Sequence, residues 1–248
     1  MEILRQIIDI IYPPRCGVCS SFMWEAPLKG NTSGLSICDS CLMGFHELSS
    51  PLCTMCGAPF LSEVLEDHPC EDCLRNRPAY AAAGAPYLYE GSLLEAIHHL
   101  KYHGKTCIAG SLGSLLGRFA QNWLGNESTD FLIIPVPLHP KKLRERGYNQ
   151  SLLLARHTAK KLGTDLDCLS LRRSKNTAPQ TGLGKKLRRK NVRNAFKLED
   201  VNVIKGRNIL LVDDVSTTGN TLNACSKALI KGGASKIYCI TLARAAGF

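Results

Sequence analysis

Long apolar runs are absent from this sequence of 248 residues. No stretch approaches the roughly 20 apolar residues that a membrane-spanning helix needs, which argues against an integral membrane protein. The N-terminal segment lacks the basic region and the small-residue cleavage site of a secretory signal, and Asp9 interrupts its apolar pattern. We therefore expect a cytoplasmic protein whose chain begins with a short amphipathic helix that ends at Pro13 and Pro14.

Aromatic residues are scarce throughout the chain, and acidic residues are scarce in one part of it. Aromatic side chains make up 6% of the sequence. Residues 141–197 carry 17 Lys/Arg and 3 Asp/Glu, whereas residues 1–80 carry 5 Lys/Arg and 10 Asp/Glu. The net charge of +10 therefore belongs to the middle segment. Such a segment attracts a pyrophosphate, a nucleic acid or both; a solvated basic surface without a ligand is the alternative.

Cysteine, by contrast, is abundant near the N-terminus, where eight of the twelve cysteines form four C-x-x-C pairs. Because two such pairs close one tetrahedral zinc site, we predict two structural Zn²⁺ sites. Their ligands are Cys16, Cys19, Cys38 and Cys41 for the first site and Cys53, Cys56, Cys70 and Cys73 for the second. A crossed pairing and an iron–sulfur cluster stay open, whereas disulfides are disfavoured in a cytosolic chain. We expect Cys107, Cys168, Cys225 and Cys239 to be small buried apolar side chains.

The chain divides into two predicted domains, a cysteine-rich module over residues 1–78 and an α/β domain over residues 79–248. Continuous apolar runs predict buried strands at 131–135, 207–212 and 236–242. Helical spacing predicts helices at 92–101, 108–123, 149–162 and 221–231, the first with a capping box of Ser92 and Glu95. Strands that alternate with helices predict an α/β fold, in which helices flank a parallel sheet.

The segment ILLVDDVSTTGNT, residues 209–221, predicts a binding site for a sugar phosphate. Its strand ends at Asp213 and Asp214, whose carboxylates can accept hydrogen bonds from ribose hydroxyls and help to hold a metal. The loop then opens a helix, whose N-terminal N–H groups and dipole favour a phosphate. The predicted phosphate loop consists of Val215, Ser216, Thr217, Thr218, Gly219, Asn220 and Thr221. Helix capping alone would explain only one or two of these residues.

This segment resembles the motif with which type I phosphoribosyltransferases bind 5-phosphoribosyl-1-pyrophosphate (PRPP). The resemblance implies the type I fold, with a central, mostly parallel sheet flanked by helices, and Mg²⁺ bound together with PRPP. Several purine-salvage members carry an Asp where this chain has Thr217, although orotate-type members lack that acid too. In this fold the loop after the early strand faces the pyrophosphate, so we expect Lys141, Lys142, Arg144 and Arg146 to bind it. A solvated loop or a nucleic-acid contact is the alternative.

Residues 172–196 combine many Lys and Arg residues with Gly and Pro and with few apolar side chains. This pattern fits a mobile lid that closes over an anionic ligand. It fits a groove for single-stranded nucleic acid equally well, although only Tyr148 and Phe196 are near for base stacking. The predicted lid or nucleic-acid residues are Arg172, Gln180, Arg188, Arg189 and Asn191.

Nearly the whole chain resembles the competence protein F (ComF) family, a branch of the type I phosphoribosyltransferases associated with DNA uptake in naturally transformable bacteria. The resemblance rests on the phosphate loop and on YEGSLLEAI (89–97), LKYHG (100–104), PVPLHP (135–140), LRERGYNQ (143–150), TAPQ (177–180) and LAR (242–244). It implies an N-terminal double zinc ribbon, PRPP binding and cytoplasmic handling of single-stranded DNA. It also implies partners such as a competence helicase or other DNA-uptake proteins. The second hypothesis is an active phosphoribosyltransferase of nucleobase or nucleotide metabolism with an unidentified acceptor and no DNA role.

Overall fold

The computed structural model describes residues 12–23, 36–60, 66–125, 131–175 and 195–246. The predicted N-terminal helix lies outside these residues, and so do four of the predicted lid or nucleic-acid residues, Gln180, Arg188, Arg189 and Asn191.

The described residues form seven helices and seven strands. The helices are α1 (Asp39–Met43), α2 (Glu71–Arg75), α3 (Gly91–Tyr102), α4 (Ile108–Leu124), α5 (Pro140–Arg146), α6 (Gln150–Leu162) and α7 (Asn220–Lys231). The strands are β1 (Ala82–Gly84), β2 (Tyr87–Leu88), β3 (Phe131–Pro135), β4 (Leu171–Arg173), β5 (Phe196–Leu198), β6 (Asn208–Ser216) and β7 (Ile237–Arg244). Within the described ranges, no helix combines the length and the apolar character that crossing a membrane requires.

Five strands form one parallel sheet in the order β1–β7–β6–β3, with β2 also paired to β7. This arrangement confirms the predicted parallel sheet. Strand β6 is longer than predicted and continues to Ser216, so that Asp213 and Asp214 lie inside the strand. In the register with β7, Asp213 is paired with Thr241 and Ser216 with Arg244. Strands β4 and β5 pair separately and antiparallel.

Helices cover both faces of the sheet, and the strand side chains alternate between two hydrophobic cores. Phe131 and Ile133 belong to the core that contains side chains of α4 and α6. Leu132 and Ile134 belong to the core that contains side chains of α7. Because successive side chains of a strand point to opposite faces, a strand that is covered on both sides is apolar throughout. This explains why continuous apolar runs predicted the buried strands correctly.

Two local predictions were wrong. Helix α3 begins at Gly91, and the Ser92 hydroxyl donates to the Cys41 carbonyl oxygen (2.7 Å) instead of forming a capping box. A tertiary contact with the cysteine-rich module therefore takes the place of a local one. Cys107 and Cys168 are exposed, because they lie in connections between elements. Two other single cysteines, Cys225 and Cys239, are fully buried as predicted.

The cysteine-rich module packs directly on the α/β domain. Val18 and Phe45 belong to the same hydrophobic core as Leu93 of α3. Gly17 lies so close to α4 that a Cβ atom there would be 2.1 Å from Ile108 Cγ2. The first half of the module therefore shares a core with the helices beside the sheet. The domain boundary at residue 78 stays a prediction.

Candidate functional site

A pocket that is open to solvent lies at the carboxyl end of β6. Its lining consists of Asp213, Val215, Ser216, Thr217, Thr218, Gly219, Asn220, Thr221 and Leu222. The structure thus brings all seven residues of the predicted phosphate loop and one of the two predicted acids to one cavity. Ligands bind at this edge in open α/β sheets, because the strands end there and the loops that follow them enclose a crevice.

The backbone of the pocket explains its glycine. Gly219 is the N-cap residue of α7 and has a φ of +69°, a left-handed conformation that favours glycine. A Cβ atom at this position would also lie 3.0 Å from the Tyr80 hydroxyl. The neighbouring Thr218 Oγ1 is buried and has no hydrogen-bond partner among the described residues. Since a buried hydroxyl without a partner is costly, the loop is suited to a polar ligand.

Asp213 and Asp214 are both buried, with exposed fractions of 8% and 3%. Ser151, at the start of α6, donates a hydrogen bond to Asp213 Oδ1 over 2.7 Å. Lys101, in the last turn of α3, places its Nζ atom 2.8 Å from Asp214 Oδ2. The two acids are therefore held by partners from two different helices, and neither partner was identified from the sequence.

These contacts shift the protonation of the cluster. Burial and the charge of Asp214 raise the pKa of Asp213 to about 7. Burial alone would lower the pKa of Lys101, but attraction to Asp214 and Asp213 outweighs it, and the pKa of Lys101 is raised. Lys101 is therefore charged near neutral pH, whereas Asp213 is poised to exchange a proton there.

The four predicted pyrophosphate residues lie on two sides of α5. Lys142 and Arg146, one helical turn apart, are half-buried, whereas Lys141 and Arg144 are exposed. Burial lowers the pKa of Lys142, and the positive charges of Arg173 and Arg146 lower it further. Because an anion would relieve this repulsion, the inward-facing pair is a better candidate for an anion contact than the exposed pair.

Arg173 belongs to the same cluster, although sequence analysis selected its neighbour Arg172. In β4 Leu171 is buried, Arg172 is exposed and Arg173 is half-buried. Burial lowers the pKa of Arg173, and attraction to the negative charge of Asp213 opposes this effect, so the two charges interact. The alternation of a strand was the missed signal, because Leu171 and Arg173 share a face. Lys101 stands in the LKYHG stretch, but no local pattern gives it a role.

The structure assembles each predicted cysteine tetrad. The four sulfur atoms of Cys16, Cys19, Cys38 and Cys41 lie within 4.8 Å of one another, and so do those of Cys53, Cys56, Cys70 and Cys73. This confirms the uncrossed pairing of the four C-x-x-C motifs. Four cysteine donors around one point fit a structural zinc site, because such a site leaves no open ligand position for a substrate.

In each tetrad the sulfur atom of the first cysteine accepts hydrogen bonds from two backbone N–H groups. Cys16 Sγ accepts hydrogen bonds from the N–H groups of Val18 (3.4 Å) and Cys38 (3.3 Å). Cys53 Sγ accepts hydrogen bonds from the N–H groups of Cys56 (3.4 Å) and Cys70 (3.2 Å). Hydrogen bonds from the Cys56 and Cys73 side chains also lower the pKa of Cys53 below its usual range. Cys53 is thus prepared to act as a thiolate, which is the form that binds zinc.

Comparisons with known proteins support both halves of this description. The family model of the double zinc ribbon domain matches residues 7–74, and that of the phosphoribosyl transferase domain matches residues 149–247. Together with the parallel sheet and the two tetrads, these matches identify a type I phosphoribosyltransferase-like fold with an N-terminal double zinc ribbon.

Similar proteins align with most of the chain. The DNA utilization protein YhgH of Salmonella typhimurium is 32% identical over 229 residues, which cover 90% of this chain and 96% of that protein. Competence protein F of Haemophilus influenzae is 35% identical over 202 residues, which cover 79% of this chain and 86% of that protein. The alignment with a crystal structure of a hypoxanthine phosphoribosyltransferase from Staphylococcus aureus covers 54% of this chain and 61% of that chain. The sequence identity is 14% and the TM-score is 0.33.

Proposed function

Since the chain belongs to the competence protein F (ComF) family, we propose that it binds PRPP in the pocket after β6 and takes part in cytoplasmic handling of single-stranded DNA. The observation that carries the proposal is the pocket itself, which is lined by Asp213 and by residues 215–222. The family's phosphoribosyltransferase domain and the relatives' names, which refer to DNA utilization and competence, support it further.

The 5-phosphate of PRPP suits the loop at the start of α7. The helix has 12 residues, and its first N–H groups and its dipole favour an anion. The left-handed Gly219 lets the backbone approach the ligand closely, and the buried Thr218 hydroxyl is a further donor beside the phosphate. The pyrophosphate would contact the inward-facing pair Lys142 and Arg146, together with Arg173.

Mg²⁺ would be bound mainly through the pyrophosphate oxygens of PRPP. Asp214 Oδ2 already lies 2.8 Å from Lys101 Nζ, so this carboxylate is suited to orienting the cluster rather than to direct metal ligation. Mg²⁺ keeps several waters and is often held by substrate phosphates with one or two carboxylates, which leaves Asp213 as the acid that lines the pocket.

Titration calorimetry with PRPP and Mg²⁺ tests the site. Thr218→Val keeps the shape of the side chain and removes its hydroxyl, so we expect PRPP affinity to fall about tenfold, the loss of one hydrogen bond to a charged group. Thr158→Val is the matched control, because the Thr158 hydroxyl donates to the Leu154 carbonyl oxygen inside α6. Wild-type protein that does not bind PRPP at millimolar concentration would exclude the proposal.

Single-stranded DNA suits the basic segment over residues 141–197, which carries 17 Lys/Arg and 3 Asp/Glu. The two aromatic residues near this segment are used inside the fold: the Tyr148 hydroxyl donates to the Leu100 carbonyl oxygen, and Phe196 is buried. Tyr102 is 66% exposed, and the Arg146 guanidinium lies 5.3 Å from the centre of its ring. This exposed ring beside a cation is the better stacking candidate for a base.

Fluorescence anisotropy with a labelled single strand tests the DNA role. Charge reversal at Arg188, Arg189 and Lys190 should weaken binding and lower the slope of log affinity against log salt by about 2, because each lost phosphate contact contributes about 0.7. Charge reversal at the exposed Lys205, Lys227 and Lys231, which lie outside this segment, changes the net charge equally and serves as the control. Equal losses in both variants would contradict a specific DNA surface.

An active phosphoribosyltransferase with an unidentified acceptor is the second candidate. Asp213 lines the pocket and interacts electrostatically with Lys101 and Arg173, which favours this candidate, because a PRPP reaction requires both acids and cations. The C1–O bond of PRPP would break, pyrophosphate would leave with the bonding electron pair, and the acceptor would form the new bond to C1 with an electron pair of its own. Release of labelled pyrophosphate at a higher rate than from an Asp213→Asn variant would support this activity. PRPP that binds but stays intact would instead indicate a protein that binds PRPP without transferring its phosphoribosyl group.

A further inference from the structure

Arg244, near the end of β7, connects the pocket to the second cysteine tetrad. Its Nη1 atom donates to Ser216 Oγ over 2.6 Å, and its Nη2 atom donates to Cys56 Sγ over 3.6 Å. Ser216 lines the pocket, and Cys56 is one of the four cysteines of the second tetrad. Only 6% of Arg244 is exposed. One buried side chain therefore contacts both a residue of the candidate phosphate loop and a candidate zinc ligand.

The buried positive charge of Arg244 requires a compensating negative charge. A buried guanidinium is costly unless an anion compensates it. Among the described residues, no carboxylate forms a salt bridge with Arg244. A zinc ion with four thiolates carries a net negative charge and would compensate the guanidinium from one side. A phosphate bound at Ser216 would compensate it from the other side.

A second set of contacts links the same two places. The Ala83 N–H group donates to the Met55 carbonyl oxygen over 2.8 Å. Met55 lies between the candidate ligands Cys53 and Cys56 in the sequence. Tyr80, three residues before Ala83, is 5% exposed, and its hydroxyl lies 3.0 Å from the position of a Cβ atom on Gly219. The loop of the second tetrad, strand β1 and the phosphate loop are therefore packed together.

The first tetrad has no such relation to the pocket within the described contacts. Its loop meets α3 and α4 instead: the Gly17 carbonyl oxygen lies 3.2 Å from His99 Nδ1, and the Ser36 N–H group donates to Ser111 Oγ over 2.7 Å. The two zinc sites thus differ in what they contact. This difference supplies an internal control.

We propose that Arg244 couples zinc binding at the second tetrad to phosphate binding in the pocket. The inference rests on the proposed PRPP site. Zinc fixes Cys56, Cys56 fixes the guanidinium of Arg244, and the guanidinium holds the Ser216 hydroxyl in the pocket wall. Arg244 is a positioning residue in this scheme, and loss of the second zinc ion weakens phosphate binding. Because coupling between two sites is reciprocal, a bound phosphate must also strengthen zinc binding at the second tetrad.

Zinc binding by the intact wild-type protein tests the coupling without any substitution. The equilibrium transfer of zinc to a competing chelator is measured with and without ribose 5-phosphate, which offers the loop its phosphate and needs no Mg²⁺. We expect ribose 5-phosphate to raise the affinity for one of the two zinc ions at least about fivefold, which is the lower end of ordinary coupling, and to leave the affinity for the other unchanged.

Variants then assign the effect to Arg244. Arg244→Lys keeps the charge but has a single nitrogen that cannot contact Ser216 and Cys56 in the same planar geometry. Arg244→Gln removes the charge. Both should bind zinc yet lose the effect of ribose 5-phosphate on zinc affinity. Arg207→Gln is the matched control, because Arg207 forms a salt bridge with Asp165 that is largely exposed, and it should behave as wild type.

The outcomes separate the two proposals. If calorimetry shows that ribose 5-phosphate binds and the affinities for both zinc ions are still unchanged, the coupling is wrong and the PRPP site stands. If neither ribose 5-phosphate nor PRPP with Mg²⁺ binds, both proposals are overturned. If PRPP alone binds, the zinc measurement is made with PRPP and Mg²⁺, and unchanged affinities would again contradict the coupling. Should the Arg244 variants fail to fold, Cys73→Ser and Cys19→Ser replace them: the first should weaken ribose 5-phosphate binding at least about fivefold, and the second should not. Equal effects of the two would contradict the coupling.

Discussion

Lys101 Nζ lies 2.8 Å from Asp214 Oδ2, and the two side chains are only 17% and 5% exposed. The pair connects the end of α3 to β6 beside the pocket. Attraction to Asp214 and Asp213 raises the pKa of Lys101 in spite of its burial, so the ammonium group keeps its charge beside Asp214. Burying two charges is costly, and the cost is tolerable only while both partners are present.

Lys101→Met should therefore destabilise the protein by about 3 to 5 kcal/mol, because it leaves the carboxylate of Asp214 buried without its cation. Chemical denaturation measures the free energy of unfolding. Combining Lys101→Met with Asp214→Asn removes the unpaired charge and should recover part of the loss. A double variant that is no more stable than the single one would show that the pair does not act as a unit.

The exposed ion pair of Arg207 and Asp165 is the control for this prediction. Its atoms are 3.0 Å apart, but the side chains are 42% and 75% exposed. Arg207→Met should cost less than about 1 kcal/mol, since exposed pairs contribute little. Similar losses for the two pairs would mean that burial does not govern the effect at Lys101.

Asp213 should make the stability of the protein depend on pH. Its pKa is raised from an ordinary value of 3.8 to about 7, by burial and by Asp214. Between these two pH values the folded state holds a proton that the unfolded state has lost. The contribution of Asp213 to the free energy of unfolding is thus fully present below pH 3.8 and falls as pH rises towards 7.

The measurement compares wild type with Asp213→Asn at pH 5 and pH 7.5. The wild type should lose at least about 1 kcal/mol relative to the variant over this interval, because one pKa unit corresponds to about 1.4 kcal/mol. Asp165→Asn, at an exposed position, should keep a constant difference from wild type. A wild type that gains stability relative to Asp213→Asn with rising pH would contradict the raised pKa.

The sequence alone predicted the sheet and the pocket loop well, because their signals are local. Strand β3 has the predicted bounds, since five buried residues in succession leave a continuous apolar run. Residues 215–221 were identified together because glycine, hydroxyls and the start of a helix follow one another along the chain. The cysteine tetrads were found for the same reason, since C-x-x-C spacing places two ligands on one turn.

The residues that were missed act across long separations in the sequence. Lys101 meets Asp214 from a helix more than a hundred positions away, and Arg244 meets Cys56 across 188 positions. No periodic pattern marks such partners, because the fold alone decides which side chain reaches which strand end. The Ser92 hydroxyl failed as a helix cap for the same reason: its partner, the Cys41 carbonyl oxygen, comes from another part of the chain.

Zinc analysis should give two ions per chain and should distinguish the two pairings of the C-x-x-C motifs. Cys19 and Cys38 belong to one tetrad, and their sulfur atoms are 3.6 Å apart. The double variant Cys19→Ser/Cys38→Ser should therefore retain one tightly bound zinc ion, because it damages a single site. Metal content is measured by atomic emission after dialysis against a chelator.

The double variant Cys19→Ser/Cys56→Ser carries the same number of substitutions but takes one ligand from each tetrad. It should retain less zinc than Cys19→Ser/Cys38→Ser, since each of its sites keeps three cysteines. The opposite order would indicate crossed pairing. A wild type with one zinc ion or none would rule out two four-cysteine sites.

The two sides of α5 should differ in their effect on PRPP affinity. Lys142 and Arg146 are half-buried beside Arg173, whereas Lys141 and Arg144 are exposed. Lys142→Gln/Arg146→Gln should weaken PRPP binding by about tenfold or more, the loss of at least one hydrogen bond between charged groups. Lys141→Gln/Arg144→Gln removes the same charge and should change affinity about twofold at most, because exposed charges act on the ligand only through screened attraction. Calorimetry at two salt concentrations distinguishes direct contacts with PRPP from long-range electrostatic attraction. The loss of PRPP affinity in Lys142→Gln/Arg146→Gln should persist at high salt. Equal losses of affinity in the two double variants that vanish at high salt would exclude direct pyrophosphate contacts from α5.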